Sequence, residues 1–282
     1  MDGILVVNKP AGYTSHDIVS KIRKQLNIKK VGHTGTLDPL ATGVLPILLG
    51  NGTKLSKYMI NHDKEYIATI RLGEKTESGD LEGKVIEQKE VPSFSKEQII
   101  EVLNNFKGKQ EQIPPMYSAI KVNGKKLYEY ARNGEMVVVE PRKIEIYNIE
   151  LMEYHLKEIK FKVACSKGTY IRSLCEDVAE KLGTVGTMSE LNRTQVGEFR
   201  IENAISIDDI ENSQIVKQRI ITPEKLFLEN EKIELTQVEL VKFLNGMKLS
   251  KNYENGLYRI YVEKNFIGIG QVSSNMLKRE YV

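Results

Sequence analysis

Residues 32–43 read Gly32-His33-Thr34-Gly35-Thr36-Leu37-Asp38-Pro39-Leu40-Ala41-Thr42-Gly43, a run of glycine, threonine and proline whose one acid is the only carboxylate between residues 18 and 62. Proline disfavours the α region for the residue before it, and glycine admits turns and close approaches that a Cβ forbids. Asp38 is therefore presented from a shaped loop. Taken alone, Asp-Pro among glycines is also ordinary turn punctuation, so its meaning rests on what surrounds it.

Upstream, Ile4-Leu5-Val6-Val7 reads as a buried strand and Lys9 to Tyr13 as the turn after it. Ser15 is then the expected N-cap of a helix carrying Ile18, Val19, Ile22 and Leu26 at helical spacing. Downstream, Val44 to Gly50 is apolar, and Leu55, Tyr58 and Met59 predict a short helix ending near Asn61. From Tyr66 the period changes to two, with Tyr66, Ala68, Ile70 and Leu72 on one face of a strand. Glu74 to Lys84 reads as a polar surface loop, followed by a strand at Val85-Ile86 and a helix through Ile99, Ile100, Leu103 and Phe106 that Gly108 stops.

Residues 112–134 break the pattern, because no regular helix crosses Pro114-Pro115. This excursion mixes Lys121, Lys125, Lys126 and Arg132 with Tyr117, Tyr128 and Tyr130. Such a mixture holds phosphates and stacks on bases, and equally forms a solvated helix whose tyrosines cover the core. Strands follow near Ile144 to Leu151 and Ile159 to Cys165. The second runs through Ser166-Lys167-Gly168-Thr169-Tyr170 into a helix with Leu174, Cys175, Val178 and Leu182, stopped by Gly183. Arg172 thus sits in a first helical turn, where the macrodipole disfavours a cation. It asks for an anion, either Glu176 one turn on or Asp38 from the distant loop.

Short helices are expected from Ile205 to Leu228, with a domain boundary at 229–231. The remainder predicts a strand at Ile233 to Leu235, Thr236 as N-cap, a helix with Val238, Val241 and Leu244 ending at Gly246, and a hairpin from Leu257–Val262 to Phe266–Val272. The whole is an α+β chain: a domain over 1–230 with a central mixed, largely antiparallel sheet and flanking helices, and a small, mostly β domain over 231–282.

Composition narrows the chemistry. Lysine and arginine number 41 against 38 acids, a net charge of +3, so any affinity for a polyanion must come from local clustering. Cys165 and Cys175 lack CxxC spacing, and the four histidines fall in different segments, which gives a protein-bound metal no support. Phosphate-loop and dinucleotide signatures are missing. The apolar run at Ile4–Val7 is too short for a signal-peptide core and no run approaches a membrane span, so a reduced, cytoplasmic setting is expected.

Six segments, in order over residues 3–200, resemble the bacterial TruB-type tRNA pseudouridine synthases, which convert the uridine at position 55 of the tRNA T-loop. They are Lys9-Pro10-x-Gly12-x-Thr14-Ser15-His16, the Gly32–Gly43 stretch, Lys64-Glu65-Tyr66, Pro114-Pro115-Met116-Tyr117-Ser118-Ala119-Ile120-Lys121, Gly168-Thr169-Tyr170-Ile171-Arg172-Ser173-Leu174 and Leu191-Asn192-Arg193-Thr194. The resemblance implies that Asp38 attacks the target nucleoside without metal or organic cofactor, at C1′, at C6 or along a glycal-like route. It implies a flipped-out base, with Tyr66 stacking and moving protons, Tyr170 and Leu191 touching the nucleotide, and His33 filling the space vacated in the T-loop. Arg172 would keep Asp38 ionised and aimed, since burial alone protonates a carboxylate. Residues 112–134 would be an RNA-gripping insertion, with Lys9, Lys121, Lys125, Lys126 and Arg132 contacting RNA, and residues 231–282 a short PUA-like RNA-binding domain. The partner implied is tRNA at its T-arm and elbow, acted on by a monomer with no obligate protein partner and no membrane. Two other readings are a tRNA-binding folding factor with incidental catalysis and an RNA-guided relative, which the absence of a long Lys-rich tail disfavours.

Overall fold

The computed structural model describes residues 1–282. In chain order, the first half gives β1 (Gly3–Lys9), α1 (Ser15–Gln25), β2 (Val31–His33), β3 (Thr42–Leu49), α2 (Ser56–Met59), β4 (Lys64–Leu72), β5 (Glu74–Thr76), β6 (Val85–Gln88), α3 (Lys96–Asn104) and β7 (Gly108–Gln112). The middle adds β8 (Lys121–Val122), β9 (Lys125–Lys126), α4 (Leu127–Arg132), β10 (Arg142–His155), β11 (Glu158–Cys165), α5 (Ile171–Lys181), β12 (Gly186–Val196) and β13 (Phe199–Arg200). The remainder gives α6 (Ser213–Arg219), α7 (Pro223–Leu226), β14 (Lys232–Glu234), α8 (Gln237–Leu244), β15 (Leu249–Ser250), β16 (Gly256–Val262), β17 (Asn265–Ser273) and β18 (Met276–Tyr281).

One large sheet runs in the order β1-β3-β12-β4-β11-β10-β7, with β2 on β3 and β13 on β12. Its pairs are antiparallel except β12 with β3. That parallel crossing sets Asn192 and Arg193 against Thr42 and Gly43. Gly43 has φ +107°, and a Cβ there would lie 2.2 Å from the Arg193 carbonyl oxygen, so the approach needs glycine. The main apolar core joins the sheet face bearing Tyr66, Ala68 and Ile70 to Ile18, Val19 and Ile22 of α1, Ile99 and Leu103 of α3, and Leu174, Cys175 and Val178 of α5. A smaller cluster of Ile4, Val6, Val44, Leu48, Met59, Val196 and Phe199 covers the opposite face at the β1 end. There β3 buries seven of its eight residues, as a run apolar on both faces should.

The C-terminal residues form a separate sheet, β14-β16-β17-β18-β15, around Ile233, Phe243, Ile260, Val272 and Leu277. It packs on the first unit through Leu55, Phe227, Ile269 and Tyr281, flanked by a Lys57–Glu280 ion pair.

Several expectations change. Thr14, not Ser15, caps α1, in a capping box with Asp17. Gly108 opens β7 instead of stopping a helix; α3 ends four residues earlier, at Asn104. The 74–84 segment is not a surface loop throughout, because Thr76, Ser78 and Asp80 are buried. Val85 and Ile86 pair only with β5, away from the main sheet. On α8, Val238 and Val241 face solvent and Phe243 carries the core contact. The central strand β12 lies outside the sequence expectations altogether.

Candidate active site

The loop carrying Asp38 is held from three sides. On the α1 side, Ser15 Oγ donates to the Leu37 carbonyl at 3.2 Å and accepts from the Leu37 amide at 2.9 Å. From β1, the fully buried Lys9 donates to the carbonyls of Pro10, Tyr13 and Pro39 at 2.9, 2.7 and 3.3 Å. From β12, the buried Arg193 donates to Gly35, Thr36 and Val44 carbonyls at 3.2, 3.5 and 2.8 Å. Backbone carbonyls that leave regular structure need donors when buried, and here two cationic side chains supply them.

Arg172 is the second residue of α5, the unfavourable end for a cation. Its Nε lies 3.2 Å from Asp38 Oδ2, and its Nη1 lies 3.7 Å from Asp80 Oδ2. The remaining fork donates to the carbonyls of Ser78 and Tyr117, each at 2.9 Å. Glu176, the local alternative, pairs instead with Lys75 at 3.1 Å. Asp80 is oriented in turn by Ser78 Oγ at 2.6 Å and the Glu82 amide at 3.1 Å. Gly79, with φ +77°, lets this turn lie on α5: a Cβ would be 2.8 Å from Glu176 Oε1 and 3.3 Å from Arg172 Cβ.

Asp38 and Arg172 open on a cavity of about 430 Å³ walled by Thr36, Leu37, Tyr66, Tyr117, Ser118, Tyr128, Tyr170 and Leu191 among others. This size suits a small ligand or one flipped nucleotide. A larger groove of about 650 Å³ lies at the β7–β10 edge, but its lining of Lys109, Glu111, Lys143, Glu145, Lys167 and their neighbours holds no ion pair.

Burial in this cavity pushes the Asp38 carboxyl above the usual carboxylate range; Arg172 pulls it down by less, and Asp80 adds to the rise. Burial and Arg172 thus act on Asp38 in opposite directions, and the guanidinium limits the effect of desolvation. Burial likewise raises the Tyr66 phenol, against the pull of Arg193.

Of the residues expected at the site, Asp38, Tyr66, Tyr170, Arg172 and Leu191 meet in one wall. Tyr170 caps α5, and both its amide and its carbonyl are clamped by Gln112, at 2.8 and 3.0 Å. His33 does not line the cavity; it lies on β2, its Nδ1 buried without a partner. Lys9 cannot contact RNA as expected, since its ammonium is enclosed and spent on three carbonyls, and burial lowers its pKa to about 8. Lys121 is exposed on the insertion. Lys126 and Arg132 flank the ring of Tyr128, 5.2 and 5.3 Å from its centroid, and Lys125 lies 4.5 Å from that of Tyr130. Because Tyr128 lines the cavity, Lys126 and Arg132 stand at its rim. Asp80 and Arg193 escape sequence reasoning as site residues; the only advance sign of Arg193 is its place beside Leu191 in the last motif.

The family model of the TruB family pseudouridylate synthase N-terminal domain matches residues 23–171. The tRNA pseudouridylate synthase B C-terminal domain matches 172–238, and the pseudouridine synthase II TruB C-terminal model matches 232–278. Curated relatives include tRNA pseudouridine synthase B of Clostridium tetani, 47% identical over 99% of this chain and 98% of that protein, and of Caldanaerobacter subterraneus, 45% identical over 99% and 98%. Among solved structures, a Cbf5-Nop10-Gar1 complex aligns with TM-score 0.71 and 27% identity over 95% of this chain and 78% of that one. Matched along nearly its whole length, the chain belongs to the TruB family of pseudouridylate synthases.

Proposed function

We propose that this protein isomerises uridine 55 in the T-loop of tRNA to pseudouridine, with Asp38 as the attacking carboxylate on a flipped-out nucleotide. The observation that carries the reading is the Asp38–Arg172 pair at 3.2 Å opening on an aromatic cavity. Binding RNA requires cations and aromatic faces, but gives no reason to desolvate a carboxylate beside a guanidinium that three further partners immobilise.

The reaction breaks the bond from uracil N1 to ribose C1′, turns the base and joins C5 to C1′. One proton leaves C5 and one is gained at N1, so atoms balance with no co-reactant. Asp38 is raised in basicity by its surroundings yet held in aim by Arg172, which suits attack on the nucleoside. Tyr66, Tyr170 and Leu191 replace the stacking that the flipped base gives up in the T-loop. His33 fills the vacated space there, and Lys121, Lys125, Lys126 and Arg132 grip the phosphates around it. In this reading residues 1–230 are the catalytic domain, with its RNA clamp at about 112–134, and residues 231–282 are a PUA-like domain on the acceptor side of the tRNA. The protein acts as a monomer in the cytoplasm.

The test is tritium release from a T-arm hairpin carrying 5-tritiated uridine at the target position. The proposal expects one tritium released per pseudouridine formed. A protein that binds and refolds tRNA without releasing tritium is a folding factor, and one that needs an added guide RNA is a guided enzyme; either result overturns the proposal.

A further inference from the structure

Arg193 is a buried cation that forms no salt bridge. Its residue is 2% exposed, it lies on the sheet face beneath the Asp38 loop, and none of the chain's ion pairs includes it. Leaving a guanidinium in the interior without a carboxylate is costly, and its three carbonyl bonds would serve a loop staple equally well if made by neutral donors. The charge therefore needs its own reason, and the groups that favour it are the Tyr66 phenol and, by less, the Asp38 carboxyl. The register of β4 against β12 sets Tyr66 directly opposite Arg193, so the two side chains leave the sheet on the same face, where the guanidinium, with Cys165 and Asp38 also facing the phenol, opposes the rise that burial imposes on it.

Arginine is a donor only. A hydrogen bond between the two can only have Tyr66 Oη as its acceptor, which leaves the phenolic O–H free to point elsewhere. No protein group accepts that proton, and Tyr66 lines the cavity. Resting on the proposed isomerisation, we propose that Arg193 is a positioning residue that fixes the Tyr66 hydroxyl with its proton facing the substrate and holds the charge when that proton is away. The balance is closed: Tyr66 gives its proton to the uracil nitrogen that parts from C1′, stands as a phenolate against Arg193, and regains a proton from C5 after the new bond forms. Burial opposes the phenolate and the guanidinium favours it, so the pair suits a phenol that is neutral at rest and charged only in passing.

A staple alone would also make Arg193 important, so the test must separate the two roles. Single-turnover tritium release and hairpin affinity are measured for Arg193→Lys and Arg193→Gln, each in the wild-type and Tyr66→Phe backgrounds. If Arg193 acts through Tyr66, Arg193→Gln loses roughly 100-fold or more in rate, the scale of a general acid–base group, with affinity within about threefold. The same substitution then costs far less once Tyr66 is already Phe, because the hydroxyl it serves is gone. The basic limb of the pH–rate curve also moves up in Arg193→Gln, which lacks the cation that favours phenolate, and stays in place in Arg193→Lys. Equal losses in both backgrounds, or an unmoved basic limb in Arg193→Gln, make Arg193 a structural staple and overturn the proposal. Should Arg193→Gln not fold, the Arg193→Lys with Tyr66→Phe cycle decides by the same additivity criterion. A wild-type protein silent in the assay overturns the isomerase reading itself, a result distinct from an active wild type with additive losses.

Discussion

The Asp38 cavity and the 112–134 insertion both gather charge and tyrosine, and they hold it in opposite ways. Around the cavity the two arginines are fixed by distant parts of the chain: Arg172 donates to Ser78 and Tyr117, 94 and 55 residues away, and Arg193 to Val44, 149 residues away. In the insertion the partners are local. Lys126 meets Tyr128 two residues on, and Lys125 meets Glu135 ten residues on. Groups fixed by the fold are pre-organised for one geometry, whereas groups held by their neighbours adapt to a partner. Cavity substitutions should therefore act on turnover, and insertion substitutions on binding.

The largest effect that sharpens this contrast belongs to Arg172→Lys. Lysine keeps the charge but lacks the fork shared among Asp38, Asp80 and two carbonyls. Turnover should fall roughly 100- to 1,000-fold, with tRNA affinity changed only a few-fold. Single-turnover rates beside filter-binding constants measure both, and equal losses would make Arg172 a phosphate contact.

Asp80→Asn comes next. The amide keeps the shape but removes one of the two carboxylates on Arg172, and turnover should fall roughly 10- to 100-fold. The sign of its pH effect follows from the geometry: Asp80 helps raise the Asp38 pKa, so its neutralisation lowers that pKa and moves the acid limb of the rate curve to lower pH. A limb that moves up would contradict the assignment.

Lys9 breaks the comparison from another side, as a cavity-side cation with a purely structural part. Its folded pKa of about 8 lies below the 10.5 usual for lysine. Between these values the unfolded chain binds more protons, so Lys9 adds stability as pH rises through that window. Melting temperatures of wild type and Lys9→Met should diverge in favour of wild type from about pH 7.5 to about pH 10, and a constant difference would place the ammonium in water.

The smallest effect is in the insertion. Replacing Lys121, Lys125 and Lys126 with Gln should reduce the salt slope of tRNA binding by about 2 to 3, near one for each phosphate the segment no longer neutralises, with saturated turnover unchanged. An unchanged slope would return the segment to a solvated face.

What is legible in the sequence follows the same division. The strand-to-helix passage at 159–182 exposes Arg172 as a misplaced cation, and that local oddity leads to Asp38. Strand β12 is illegible because its core face carries Arg193 and its pairing with β4 shifts register twice, which destroys the apolar alternation that announces a strand. Asp80 hides in a segment that reads as a solvated loop, since nothing in Glu77-Ser78-Gly79-Asp80 signals the guanidinium that buries it. On α8 the spacing of Val238, Val241 and Leu244 is helical as expected, yet spacing alone does not say which side meets the core. Sites built from long-range partners are the ones a single sequence conceals.

Whether Asp38 acts on the nucleoside or merely shapes its loop is decided most directly by tritium release from the T-arm hairpin, with Asp38→Asn beside wild type. The substitution is nearly isosteric and leaves Arg172 its contacts with Asp80, Ser78 and Tyr117, so the variant should fold and bind the hairpin as wild type does. If Asp38 is the attacking group, the variant releases tritium at least about 10⁴-fold more slowly, the scale on which removal of a nucleophile acts. Release at the wild-type rate would contradict that role.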